Sequence, residues 1–251
     1  MARDPTESTH FGFETVSPEE KTQRVTQVFE SVAARYDLMN DLMSLGIHHL
    51  WKWIAVEIAG FRKGQTILDL AGGSGDLSRL IINKMAKKGH VILADINGAM
   101  LSVGRDRLLD NGLAQNVAFI QANAETLPFH DSTLDGVIIG FGLRNFTNQM
   151  KALLSLYRVC KPGAKLVILE FSQPQNLLIK SIYDWYSFQL LPQLGKWVAQ
   201  DEASYRYLAE SIRMHPMPEQ LKFMIEQAGF EDCHYRLFHS GIVALHVAYK
   251  Y

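Results

Sequence analysis

The chain has 251 residues, 47% of them hydrophobic and 20% charged, a balance that suits one large globular domain with or without an N-terminal extension. Lys and Arg number 25 against 26 Asp and Glu, a formal net charge of −1, so no basic surplus argues for a nucleic-acid partner. Cys160 and Cys233 form no CxxC pair, which speaks against a zinc site or disulfide framework and fits a reducing compartment. No stretch approaches the ~20 apolar residues of a membrane span, and residues 1–13 carry charges with no apolar core, unlike a signal peptide.

Residues 1–17 are polar, with Pro5 and Gly12, and read as an extended arm in which His10-Phe11-Gly12-Phe13 brings two aromatics to bury. Ser17-Pro18-Glu19-Glu20 is a helix start, with serine as cap, proline first and acids in the opening turn. Val25, Val28, Phe29, Val32 and Ala33 continue at helical spacing. Segment 36–52 is rich in Met, Tyr, Trp and Asn; it reads equally as a cap over a site and as a helix pair covering a sheet edge. Residues 1–60 are therefore expected to form an arm and helical cap, and 61–251 the main domain.

From residue 65 strands and helices alternate. Strands are expected at 65–70, 90–95, 117–121, 134–140 and 164–171, and helices at 77–87, 99–111 and 150–160, the last stopped by Lys161-Pro162-Gly163. Such alternation predicts an α/β fold with a parallel sheet and helices on both faces. An aromatic-rich insertion occupies about 174–215, followed by a helix at 217–229. Strands at 233–238 and 242–249, joined by Ser240-Gly241, form a C-terminal antiparallel hairpin.

The informative stretch is Leu68-Asp69-Leu70-Ala71-Gly72-Gly73-Ser74-Gly75-Asp76-Leu77. A glycine turn between a strand and a helix brings bare backbone N–H groups to a ligand. Read as G-x-G-x-x-G, it has Gly73 and Gly75 but Ser78 in the third place, which counts modestly against a dinucleotide. Asp95 closes the next strand, 20 residues after Gly75, where NAD and S-adenosylmethionine both want a ribose-binding acid.

The turn resembles the first motif of Rossmann-like class I methyltransferases. That resemblance implies S-adenosylmethionine as methyl donor and a mostly parallel seven-stranded sheet. Asp69 would hold the turn or the methionine ammonium, and Gly72, Gly73, Ser74 and Gly75 would approach the cofactor. Asp95 would hold the ribose, and Asn123 and Ala124 would open the segment lining the adenine. Gly140-Phe141-Gly142 would pass the methionine.

A closer resemblance rests on His10-Phe11-Gly12-Phe13, the run from Tyr36 to Ser44, His48 with Trp51-Lys52, Phe141-Gly142-Leu143-Arg144-Asn145, Leu169-Glu170-Phe171-Ser172 and the run from Tyr205 to Ile212. These look like the ubiquinone/menaquinone biosynthesis C-methyltransferase family, with Ser74 where many members have threonine and Gly140 where some have serine. At Gly140 only a backbone contact to the cofactor remains. The family implies methylation of a ring carbon in 2-polyprenyl-6-methoxy-1,4-benzoquinol and in demethylmenaquinol. A phenol with a pKa of ~10 needs help to become a carbon nucleophile. Arg144 would stabilise the phenolate or orient a water, unless it is spent in an ion pair, and Asn145 would position a ring oxygen. His10, His48, Tyr36 and Tyr205 are further proton-relay positions. His48-His49 lacks partners at metal-binding spacing, so no metal is expected. Segments 177–200 and 36–51 would line a channel for the polyprenyl tail or pack as a plain lid. The expected partners are the polyprenyl quinol, transiently the membrane surface, a quinone-biosynthesis complex and a second copy in a homodimer, with no nucleic acid. The expected location is cytoplasmic, peripheral at the inner membrane surface. A methyltransferase for another hydrophobic acceptor, an NAD oxidoreductase and a non-catalytic scaffold are the competing readings.

Overall fold

The computed structural model describes residues 8–33, 36–174, 176–196 and 201–251, with the backbone alone at Tyr36, Asp37, Leu177, Leu178 and Ile182. A short hairpin, β1 (Thr9–Phe11) and β2 (Glu14–Val16), precedes α1 (Pro18–Val32), α2 (Tyr36–Ser44) and α3 (His48–Ala59). The alternating region runs β3 (Thr66–Leu70), α4 (Asp76–Lys84), β4 (His90–Asp95), α5 (Gly98–Asp110), β5 (Val117–Gln121), β6 (Leu134–Gly140), α6 (Gln149–Val159) and β7 (Cys160–Phe171). Then come α7 (Leu177–Trp185), α8 (Leu191–Leu194), α9 (Glu202–Met214), α10 (Pro218–Gln227), β8 (Glu231–Phe238) and β9 (Val243–Tyr249).

Seven strands form one sheet in the order β5-β4-β3-β6-β7-β9-β8. The first five are parallel, and β9 and β8 run antiparallel beside β7. The chain leaves β3 in one direction for β4 and β5, then returns to β3's other side for β6. The resulting crevice, above the carboxyl ends of β3 and β6, is where open α/β sheets bind ligands. The parallel strands read as near-continuous apolar runs because both faces are covered. Ile67, Leu93, Ile138 and Val167 face one core with Trp51 and Ala55 of α3 and Ile81 of α4. Leu68, Leu70, Val137 and Ile168 face the other, with Leu153 of α6 and Ile225 of α10.

Three expectations change in detail. The arm is a hairpin, because Gly12 supplies the left-handed turn (φ +58°) and Glu210 accepts from the N–H of Phe13. The strand expected at 164–171 starts at Cys160: Gly163 donates to the carbonyl of Lys250 at 2.6 Å and Lys250 donates to Ala164 at 3.0 Å, so the Lys161-Pro162-Gly163 turn is drawn into the sheet. Segment 36–52 covers a face of the sheet, where α3 packs on α4 and β7.

Gly104 of α5 lies under the glycine turn; a Cβ there would sit 2.4 Å from the carbonyl oxygen of Gly73. Alanine is the better helix former by ~1 kcal/mol, but a backbone oxygen cannot yield cheaply. Gly104→Ala is expected to lower stability by a net ~1–3 kcal/mol in denaturant unfolding. An unchanged midpoint would mean that the turn gives way freely.

Candidate active site

The turn after β3 is set by left-handed residues at Ala71 (φ +53°), Gly73 (φ +52°) and Gly75 (φ +79°). It is tied to β4 by the Gly72 N–H, which donates to Ala94 at 3.2 Å. A side chain on Gly72 would meet Leu93 at 2.2 Å and the Asp69 carboxyl carbon at 2.8 Å. Asp69 itself is fully buried, and its Oδ2 accepts from the Ser78 backbone N–H (2.9 Å) and hydroxyl (2.6 Å) in the first turn of α4. Desolvation pushes its pKa up to about 7. Oδ2 thus pins the start of α4 to β3, while Oδ1 is buried with no hydrogen-bond partner among the described residues. Ser74 is buried within the turn, and Asp76 pairs with Lys52 of α3 at 2.8 Å.

Asp95, at the end of β4, accepts from the Gly73 N–H through Oδ2 (3.0 Å) and from the Asn97 N–H through Oδ1 (2.9 Å). Each oxygen keeps a lone pair for a further donor. Asn97 caps α5 by accepting from Met100 N–H, and its amide donates to the Thr26 carbonyl of α1 at 3.1 Å. Lys21 of α1 donates to the Phe146 carbonyl at 2.8 Å. These bonds lay α1 across the crevice as a roof.

Two adjoining cavities of about 500 Å³ each lie beneath it. One is lined by Leu70, Asn123, Ala124 and Thr22, the other by Gly73, Asp95, Met100, Phe141 and Gly142. Val25, Thr26, Ala71, Ile96, Asn145 and Phe146 border both. Asn123 accepts from the Glu125 N–H at 2.9 Å, which fixes the short turn Ala124–Thr126 along the first cavity. Gly140 stands one residue short of the second cavity, where a Cβ would meet Leu77 at 2.5 Å. In the sequence the roof residues Thr22, Val25, Thr26 and Phe29 show only a helical stripe in which threonines alternate with apolar residues, with nothing to mark them as site residues.

Asn145 and Arg144 follow β6 in the turn Leu143–Asn145 but face different surroundings. Asn145 borders both cavities and accepts from the Tyr207 hydroxyl at 3.0 Å. Arg144 lies inside the wall: Nη1 meets Glu170 Oε1 at 2.6 Å with both side chains 1% exposed, and also donates to the Phe141 carbonyl. The ion pair that competed with a catalytic role is therefore present. Arg144 Nε is buried without a partner among the described residues, and the residue borders a separate cleft with Lys21 and His10 rather than the two cavities.

The remaining relay positions do not converge there. His48 is buried beside Ser44 (2.9 Å) and Asp41 (3.6 Å), and desolvation pushes its pKa down to about 4, so it is neutral. Asp41 also lies 3.2 Å from His49, bringing to the histidine pair a third group that linear spacing did not reveal. Tyr205 is fully buried against Gly195, and the side chain of Tyr36 lies outside the described residues. A third, strongly apolar cavity of about 780 Å³ lies between Met43, Ile47 and Trp51 on one side and Tyr183, Tyr186 and Ile242 on the other. Leu45 and Trp185 stand exposed at its border. The Trp51 and Phe141 rings, 6.3 Å apart, stand between it and the cavity that Phe141 lines.

Burial raises the Asp95 pKa from 3.8 to about 6. The group therefore costs the fold stability as pH rises through that window, and it is ionised at neutral pH, ready to accept a ligand's hydroxyls. Affinity for S-adenosylmethionine, the ligand the sequence resemblance implies, should fall by about tenfold between pH 7 and pH 5, and Asp95→Ala should weaken it by ~1.5–3 kcal/mol. Calorimetry giving a flat profile and unchanged affinity would remove Asp95 from the site. Arg144→Ala leaves Glu170 buried and unpaired, an expected loss of ~3–5 kcal/mol in unfolding free energy; a loss within error would mean that water reaches the pair.

The ubiE/COQ5 methyltransferase family model matches residues 17–250. A ubiquinone/menaquinone biosynthesis C-methyltransferase UbiE from Legionella pneumophila is 62% identical, covering 98% of this chain and 98% of the relative. One from Coxiella burnetii is 59% identical, covering 97% and 98%. Among solved structures, a SAM-dependent methyltransferase from Aquifex aeolicus superposes with TM-score 0.58 at 19% identity, covering 84% of this chain and 96% of that one. A Haemonchus contortus phosphoethanolamine N-methyltransferase 2 in complex with S-adenosyl-L-methionine gives 0.60 at 16%, covering 80% and 52%. The chain belongs to the ubiE/COQ5 methyltransferase family.

Proposed function

We propose that the chain transfers a methyl group from S-adenosylmethionine to a ring carbon of a polyprenylated benzoquinol and of demethylmenaquinol. The observation that carries this reading is the juxtaposition of a roofed cleft with an ionised acid and an apolar cavity beyond Phe141. Full-length identity near 60% to relatives named for these quinone pathways supports the acceptor.

The lining of the cleft suits the methyl donor in its donor set. The Asn123 and Ala124 end would take the adenine, Asp95 the ribose hydroxyls, and the Gly73 backbone and Gly142 the amino acid end. When bound, the donor supplies a methyl group already activated on a sulfonium. The protein's own task is then alignment and exclusion of water, with help in removing a phenolic proton. The α1 roof would exclude water. Asn145, which borders both cavities, would meet a ring oxygen. Arg144, paired with Glu170 inside the wall and bordering a separate cleft, would act on the ring only by holding the turn that carries Asn145.

The polyprenyl tail would occupy the apolar cavity, with the ring entering past Trp51 and Phe141. Exposed Leu45 and Trp185 would rest on the membrane while the tail is drawn in. No helix among the described residues is long and apolar enough to cross a bilayer, so this contact would be superficial.

A strain lacking this chain should accumulate demethylated quinones in its lipid extract; accumulation of other lipids with normal quinones would refute the acceptor. Trp185→Ser should raise KM about tenfold for acceptor embedded in vesicles and leave a short-tailed soluble quinol unaffected. Equal effects on both would point to misfolding of the cavity rather than to membrane contact.

A further inference from the structure

Tyr207 sits on α9, 3% exposed, and reaches the site only through its hydroxyl. A buried phenol must give its proton to an acceptor, or it loses a hydrogen bond that water would have supplied. Among the described residues, Asn145 Oδ1, at 3.0 Å, is the partner that its hydroxyl has. Desolvation raises the phenol's pKa, so it holds its proton throughout the working range. The amide of Asn145 is therefore not free to flip. Its carbonyl oxygen is committed to Tyr207, and the backbone is fixed by a bond from Asn145 N–H to Gly142 at 3.1 Å. The Nδ2 donor is what remains for the cavities that Asn145 borders.

We infer that Tyr207 is a positioning residue, which orients Asn145 so that an N–H donor rather than a carbonyl oxygen meets the acceptor's ring oxygen. This rests on the reading that Asn145 faces that oxygen. The orientation matters because the oxygen gains negative charge as the quinol O–H gives up its proton and the ring carbon becomes nucleophilic. A fixed donor stabilises that charge, and a carbonyl in the same place would oppose it. The chain supplies a second tie. Phe11 of the N-terminal hairpin stacks on the Tyr207 ring with centroids 4.2 Å apart, and the Arg24 guanidinium of α1 lies 4.0 Å above the centroid of the Phe11 ring. The roof over the cofactor cleft and the residue that orients the amide are thus one assembly.

Tyr207→Phe removes the hydroxyl and keeps the stack, so it should leave the thermal midpoint and S-adenosylmethionine affinity near wild type. Turnover should fall about tenfold, and the rising limb of its pH profile should move to higher pH, because the phenolate is less well stabilised. Asn145→Ala should cost about a hundredfold. In that background Tyr207→Phe should cost less than a further twofold, since its effect passes through the amide. A Tyr207→Phe loss equal in both backgrounds, or wild-type turnover in Tyr207→Phe while Asn145→Ala is impaired, would overturn the positioning role alone. Wild-type turnover in Asn145→Ala would overturn the placement of Asn145, and this role with it.

Discussion

The two N–H bonds that Asp95 accepts, from Gly73 and Asn97, organise everything near the crevice. The first closes the glycine turn of β3 onto the end of β4. The second shapes the chain entering α5, so that Asn97 both caps that helix and anchors the roof through Thr26. One carboxylate thereby joins the floor, a wall and the lid of the cleft. Its burial keeps it close to neutrality's edge, with a pKa of about 6, and makes each further donor worth more than it would be in water. Removing the acid would loosen the frame.

Charge is used sparingly elsewhere in the site. Asp69 holds α4 through Oδ2, and Arg144 is balanced by Glu170. A buried pair of this kind adds little net stability, but it is costly to break. Its value here is positional: the same guanidinium holds the Phe141 carbonyl, and Glu170 also accepts from the backbone of Arg144 and Phe171. The turn that carries Asn145 is therefore fixed from behind. On the other side of Phe141, aromatic contacts replace charge. Trp51, Phe141 and Phe171 form a cluster with centroids 4.5 to 6.3 Å apart, and the apolar cavity opens beyond it.

The parts legible in the sequence are those written locally. Strand runs, the glycine turn, the acid closing β4 and the C-terminal hairpin each signal themselves within a few residues, and they fix the crevice. The sequence leaves open an ion pair from Arg144 to some Asp or Glu, but it does not name Glu170 as the partner. That pairing depends on β6 lying beside β7, which brings together residues 26 positions apart. The roof was illegible for a related reason. The spacing of Val25, Phe29 and Val32 says that a face of α1 is covered, not what covers it. Segment 36–52 is rich in aromatics and methionines, yet Met39, Met43 and Trp51 are chiefly core. Tyr207 and Glu170 lie inside motif runs, but their contacts are ones that no spacing rule encodes.

The most direct measurement is to incubate the purified chain with methyl-labelled S-adenosylmethionine and a short-tailed demethylated benzoquinol, then locate the label by NMR. Label on a ring carbon, lost in the Asp95→Ala variant at limiting methyl donor, is the expected result. Label on a phenolic oxygen, or no transfer to the quinol while the donor binds normally, would contradict it.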